Sequence, residues 1–189
     1  MASTALNKKE IKRLLVMTRS QDNQRNHLTI VLGLYTGMRA AEIASLIVSD
    51  CYKPDGTPKK EFNLDLRRTK TKKSRTIDIG NPAIQKALCT YWEQKKLRKP
   101  SSPLLEGQRG KKNMTSHGLR RAIKEALEFA DIENSSHCLR KTCLMTMRRE
   151  GYDLALIQQV SGHASLSALQ RYLGVTQYEV RDAVRSLKF

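Results

Sequence analysis

The stretch "SGHASLSALQRYLG" places a histidine and a tyrosine nine residues apart, His163 and Tyr172. Other residues with chemical potential lie earlier: Arg39 in "TGMRAAEI", Lys70 in "RRTKTKKS", and His137 and Arg140 in "HCLR". Arginine offers a rigid fork for anionic oxygens. Imidazole moves protons near neutral pH, and an ammonium can release one. A phenol can attack an electrophile once a base takes its proton. Each residue also has an ordinary reading. Arg39 pairs with Glu42 three residues on, Lys70 is a solvated lysine in a basic turn, and His137 caps a helix. His163 follows a helix-stopping glycine, where a cation suits the dipole, and Tyr172 is one of six tyrosines.

The elements that must position them can be read from periodicity. "LNKKEIKRLLVM" is a helix capped by Asn7, with Glu10 at the capping-box position. A more buried helix spans about 26–36 and stops at Gly37, and "RAAEIASL" restarts as a short helix. "EFNLDL" alternates Phe62, Leu64 and Leu66, and "RTIDI" alternates Ile77 and Ile79, which predicts a β-hairpin with a basic tip. Asn81 and Pro82 open a helix with Ile84, Leu88, Tyr91 and Trp92 on one side. A loop over 99–113, rich in Pro, Ser, Gly and Lys, has the length of a functional or mobile loop. "SHGLRRAIKEALEFA", "HCLRKTCLMTMRREG" and "DLALIQQVSG" are further helices, the last opened by Asp153 and stopped by Gly162. "TQYEVRDAVRSL" is a C-terminal helix with a capping box of Thr176 and Glu179. The expected fold class is mainly α with a small antiparallel β-sheet (α+β), and residues 1–189 are expected to form a single catalytic domain.

Charge narrows the partners. The 189 residues hold 35 Lys+Arg against 18 Asp+Glu, a net charge of +17. A basic face of that size attracts polyanions, with nucleic acid ahead of an anionic membrane. No apolar run approaches the length of a membrane span, and there is no signal peptide. Cys51, Cys89, Cys138 and Cys143 show no CxxC pairing, which reads as a reduced, cytoplasmic, nucleoid-associated protein.

Taken together, the ordered set Arg, Lys, His-x-x-Arg, His, Tyr resembles the catalytic domain of the tyrosine recombinase (phage integrase) family. "TGMRAAEIASL" is similar to T-G-x-R-x-x-E-[IL]-x-x-L, "HCLRKT" to H-x-L-R-H-[ST], and "IQQVSGHASLSALQRYL" to I-Q-x-x-L-G-H-[SA]-S-x-x-[ST]-T-x-x-Y. "TKTKKSRTIDI" resembles G-K-G-x-K-x-R-x-[VI]-P-[LI], which puts Lys70 at the family's catalytic lysine. The resemblance spans about residues 6–174. Lys141 departs from the usual histidine, and Val160-Ser161-Gly162 from the usual leucine-glycine; neither touches the six catalytic positions.

The resemblance implies a reaction. Tyr172 would attack a DNA phosphodiester, giving a 3′-phosphotyrosine and a free 5′-hydroxyl. Arg39 and Arg140 would bind the non-bridging oxygens, with another hydrogen bond from His163. His137 would accept the tyrosine proton, Lys70 would protonate the leaving oxygen, and Glu42 would orient Arg39. No metal, cofactor or ATP is expected. A zinc site on His137, Cys138, Cys143 and His163 is disfavoured, because the cysteines lie five apart on different helix faces. Double-stranded DNA is the expected partner. Arg67, Arg68, Lys72, Lys73 and Arg75 around the hairpin, Arg120, Arg121 and Lys124 on a helix, and Lys141 beside the site are its candidate contacts. A homo-oligomer on DNA, dimer or tetramer, is expected, with accessory DNA-bending proteins and no membrane. The family's N-terminal clamp domain is not expected within 1–189, so the chain is either an excised catalytic domain or like the short single-domain invertases. The C-terminal helix would dock on a neighbouring protomer or pack in cis. Two other readings compete: a non-catalytic DNA-binding integrase relative, and a type IB topoisomerase.

Overall fold

A computed structural model of the chain describes residues 3–20, 24–68, 74–95, 99–107, 114–174, 181 and 184–185. Four helices come first: α1 (Lys8–Ser20), α2 (Gln24–Thr36), α3 (Ala40–Ala44) and α4 (Val48–Cys51). A hairpin follows, β1 (Glu61–Leu64) and β2 (Arg75–Asp78), then α5 (Pro82–Gln94), α6 (Ser116–Phe129), α7 (Cys138–Arg149), α8 (Leu154–Ser161) and α9 (Leu166–Leu173). The mainly helical architecture with one small antiparallel sheet is the expected one. No helix among the described residues is long and apolar enough to cross a membrane.

Local chemistry explains most boundaries. Asn7 Oδ1 accepts the Glu10 N–H at 2.9 Å and Glu10 Oε2 accepts the Asn7 N–H at 2.7 Å, a reciprocal cap for α1. Asn81 caps α5 at 2.9 Å from the Ala83 nitrogen, and Asp153 caps α8 at 2.6 Å from the Ala155 nitrogen. Gly37 and Gly162 both adopt φ +62°. That left-handed turn ends a helix without the steric cost a side chain would bring.

The hairpin is shorter than its hydrophobic pattern predicts. Register runs from Glu61 opposite Asp78 to Leu64 opposite Arg75, which buries Phe62, Leu64 and Ile77 on one face. Leu66 does not extend β1. Asp65 accepts the Arg67 N–H at 2.8 Å through its side chain and the Arg68 N–H at 3.0 Å through its carbonyl, and this turns 66–68 into a 3-10 helix. The loop after α5 also differs from its reading. Its first part is stitched to the core: Leu104 and Leu105 are fully buried, the Leu104 N–H donates to Leu46 O, and the Tyr91 hydroxyl donates to Leu104 O. Residues 108–113 lie outside the described residues.

Two apolar clusters divide the interior. The larger is built from α1 to α6, the hairpin, and Cys138 and Leu139 of α7. The smaller holds Leu144 of α7, Ile157 of α8, and Leu169 and Leu173 of α9, with Tyr172 packed against it. α7 therefore belongs to both. Most of the predicted C-terminal helix, with Thr176, Glu179 and the stripe at Val180, Ala183 and Leu187, lies outside the described residues; Val184 is helical and exposed.

Candidate active site

Arg39 sits in the turn between α2 and α3, in extended conformation with φ −74° and ψ 149°. The turn is built by "TGM". The Thr36 hydroxyl accepts the Met38 N–H at 3.2 Å, and a Cβ on Gly37 would stand 3.3 Å from Cys143 Sγ and from a Leu144 methyl. The turn is thus pressed against α7.

Glu42 on α3 is almost fully buried and serves two arginines. Its carboxylate accepts the Arg39 backbone N–H at 2.8 Å and Arg39 Nη1 at 3.1 Å. It also accepts Arg75 Nη1 at 3.1 Å and Nη2 at 2.8 Å. Burial alone would raise its pKa, but the bonds and charges of Arg75 and Arg39 hold it below the ordinary value. The expected pairing of Glu42 with Arg39 is therefore present, with Arg75 as a partner that sequence spacing does not reveal.

Arg140 lies in the first turn of α7 and is buried. Nη1 donates to Gly37 O at 2.6 Å and Nη2 to Ser161 O at 2.8 Å, which ties the Arg39 turn to the end of α8. Burial first, then Arg39, push it down to about 10, so it remains a cation at neutral pH. His137 is the residue preceding α7, but its side chain makes no capping bond. The residue keeps solvent contact, yet crowding around the ring, then Arg140, Arg39, Arg120 and Lys141, hold it below the ordinary histidine value. A cavity of about 420 Å³ opens beside it, lined by Arg39, Arg120, His137 and Arg140 among others.

His163 leaves the glycine turn after α8. Its Nδ1 lies 2.7 Å from Ser161 Oγ, and its carbonyl accepts Gln158 Nε2 at 3.0 Å. Burial, then Arg140, Arg39, His137 and Arg75, push its pKa down to about 4. Tyr172 on α9 meets both histidines. Its ring centroid is 5.5 Å from that of His137, edge-on, and 5.1 Å from that of His163. The hydroxyl is buried without a well-formed hydrogen bond. Burial raises the phenol to about 12, against the opposing pull of Arg140 and Arg39.

Five of the six candidate catalytic residues thus converge, from the α2–α3 turn, the start of α7, the turn after α8, and α9. Lys70 lies outside the described residues, as do Lys72 and Lys73. Among the proposed DNA contacts, Arg67 is 84% exposed. Arg120, Arg121 and Lys124 line the outer face of α6, where Arg121 pairs with Glu125 at 2.8 Å and Lys124 with Glu128 at 3.5 Å. Arg68 and Arg75, also proposed as DNA contacts, are paired within the chain in this structure. Arg68 bonds both oxygens of Asp50, at 3.1 and 2.7 Å, and Ser45, while both terminal nitrogens of Arg75 are spent on Glu42. Their guanidiniums pair with a half-buried carboxylate, Asp50, and a buried one, Glu42. Lys141 donates to Ser3 O at 2.9 Å, tying the N-terminal segment to α7. Among the described residues, no group of three or more His, Cys, Asp or Glu is arranged to hold a metal ion, and all four cysteines are free thiols.

The fold and this site define the catalytic-domain class of tyrosine recombinases. The crystal structure of XerA recombinase superposes with a TM-score of 0.76 at 23% identity, covering 98% of this chain and 64% of that one. XerH site-specific recombinase bound to its difH substrate in a pre-cleavage complex gives 0.72 at 23% identity, covering 97% and 54%. In sequence, tyrosine recombinase XerA of Pyrococcus furiosus is 29% identical over 180 residues, 95% of this chain and 60% of that protein. Tyrosine recombinase XerC of Thermodesulfovibrio yellowstonii is 31% identical over 173 residues, 85% of this chain and 54% of that protein. The chain thus spans about 60% of the first of these relatives. The model of the phage integrase family matches residues 4–179, and the chain belongs to that family.

Proposed function

We propose that the chain carries out site-specific DNA recombination, cleaving and rejoining strands through a 3′-phosphotyrosine. The observation that carries this reading is the convergence of Arg39, His137, Arg140 and His163 on a single tyrosine, Tyr172. In the forward step the Tyr172 oxygen bonds to phosphorus and the bond to the 5′-oxygen breaks. The phenol proton passes to His137, whose depressed pKa keeps it neutral and able to accept. Lys70 supplies the proton that the leaving oxygen takes. Arg39 and Arg140 hold the non-bridging oxygens, where negative charge develops, and His163 adds a hydrogen bond. The phosphotyrosine link conserves the bond for religation, so the scheme consumes no nucleotide.

The scheme implies that Tyr172 is unreactive in the free protein. A phenol at about 12 is a poor nucleophile until a phosphate draws the arginines and the tyrosine into register. Double-stranded DNA is the partner, met by Arg67, Arg120, Arg121, Lys124 and the hairpin lysines Lys72 and Lys73. Recombination requires several copies on DNA, as a dimer or tetramer, with accessory DNA-bending proteins supplying geometry.

The test is a covalent-adduct assay on nicked and supercoiled DNA, comparing the wild type with Tyr172→Phe. A denaturation-resistant protein–DNA adduct that vanishes in the variant is the expected result. An adduct that persists would move the nucleophile elsewhere, for instance to Tyr178. An adduct with relaxation but no strand exchange would favour the topoisomerase reading. No adduct on any duplex, cognate sites included, would leave a DNA-binding relative without chemistry.

A further inference from the structure

α6 carries three lysines and arginines, and two of them are spent on its own carboxylates: Arg121 on Glu125 at 2.8 Å and Lys124 on Glu128 at 3.5 Å. Arg120 has no such partner. The residue four places on is Lys124, a like charge, and among the described residues Arg120 makes no hydrogen bond or ion pair. Ile123, three places on, shares its face of the helix, and both line the cavity of about 420 Å³ beside His137. Arg39 and Arg140 line the same cavity, and none of its lining residues is acidic. Three guanidiniums around one cavity make a site for an anion.

Donor bookkeeping sets Arg120 apart from the other two. A guanidinium has five N–H donors. Arg140 gives one from each terminal nitrogen to Gly37 O and Ser161 O, and Arg39 gives one to Glu42. Arg120 keeps all five. We propose that Arg120 is a third phosphate-binding arginine: from the α6 side of the cavity, its uncommitted fork closes on a non-bridging oxygen of the phosphate that Arg39 and Arg140 hold. That this phosphate is the one being cut rests on the recombinase reading; Arg121 and Lys124 then meet the flanking backbone. Demand for such a fork grows during the reaction, because the five-coordinate species formed when Tyr172 attacks carries more negative charge than the diester. Arg120 also lies near enough to His137 to be among the cations that hold it below the ordinary histidine value.

The experiment has two arms. The first needs no turnover. Inorganic phosphate is titrated into the protein near neutral pH at constant ionic strength, and the His137 ring resonance is followed, assigned through His137→Gln among the four histidines. A saturable shift is expected, with phosphate binding about tenfold weaker in Arg120→Ala. The second arm is single-turnover adduct formation on nicked DNA at saturating protein. Arg120→Ala should lower the rate about thirtyfold, the worth of one charge-assisted hydrogen bond. A shift that does not saturate, or phosphate binding equal in the variant, overturns the proposal. So does an Arg120→Ala protein that reacts at the wild-type rate once DNA is saturated, which would make Arg120 a contact for affinity alone. If phosphate binds through Arg120 but no duplex yields an adduct, the site stands and the recombinase reading falls.

Discussion

His163, His137 and His27 share one electrostatic circumstance: each is held below the ordinary histidine pKa of 6.5. For His163, burial comes first, then Arg140 from α7, Arg39 from the α2–α3 turn, His137, and Arg75 from β2. An unfolded chain therefore binds more protons than the folded one below pH 6.5, and stability rises with pH in that window. Acidification from pH 6.5 to 4.5 should lower the melting temperature. His163→Gln should flatten that part of the profile, which thermal melts across a pH series would show. Glu42 is likewise held below its ordinary value and acts lower on the pH scale, since its contribution is present above pH 4.5 and fades beneath it. At this scale the sequence was informative about identity and poor about pairing. Arg39, His137, Arg140, His163 and Tyr172 stand out through their local words. Arg75 looks like any hairpin cation, because its partner Glu42 lies 33 residues away and no periodicity relates the two.

The elements hold the site through close approaches at glycine. At the crossing of α2 and α7, a Cβ on Gly33 would stand 2.8 Å from a Leu139 methyl carbon and 3.0 Å from Leu139 Cβ. Leu139 adjoins Arg140, so pushing α7 away displaces the guanidinium that links Gly37 to Ser161. Gly33→Val should cost about 2 kcal/mol, as overpacking in a dense core does. It should also depress adduct formation more than that loss of stability explains; urea titration and the adduct rate measured together check this. The helices were readable because their caps are local: Asn7 with Glu10, Asn81 before Pro82, Asp153, and the stops at Gly37 and Gly162. The end of β1 was not, because Phe62, Leu64 and Leu66 keep strand period while Asp65 bends the chain with its own side chain. The approach of Gly33 to Leu139 was equally hidden, since a glycine inside a helix says only that something comes near.

Across the whole molecule, a net charge of +17 is distributed unevenly in its uses. Arg68, Arg75 and Arg140 serve the interior, and Arg67, Arg120, Arg121 and Lys124 remain outside. DNA affinity should fall steeply with salt, and each exposed cation that meets a phosphate adds to the slope of log K against log salt. Arg121→Ala should reduce that slope by about one, whereas a residue that meets no phosphate leaves it unchanged. Fluorescence anisotropy titrations over a range of salt would separate the two. The division of the interior has a different consequence. Arg39 and Arg140 adjoin residues of the large apolar cluster, Met38 and Leu139, while Tyr172 packs against a small one shared by α7, α8 and α9. Local opening free energies follow such clusters. The helix that carries Tyr172 should therefore open locally more often than the core beside Arg39 and Arg140, which faster hydrogen exchange of α9 amides than of α2 amides would show.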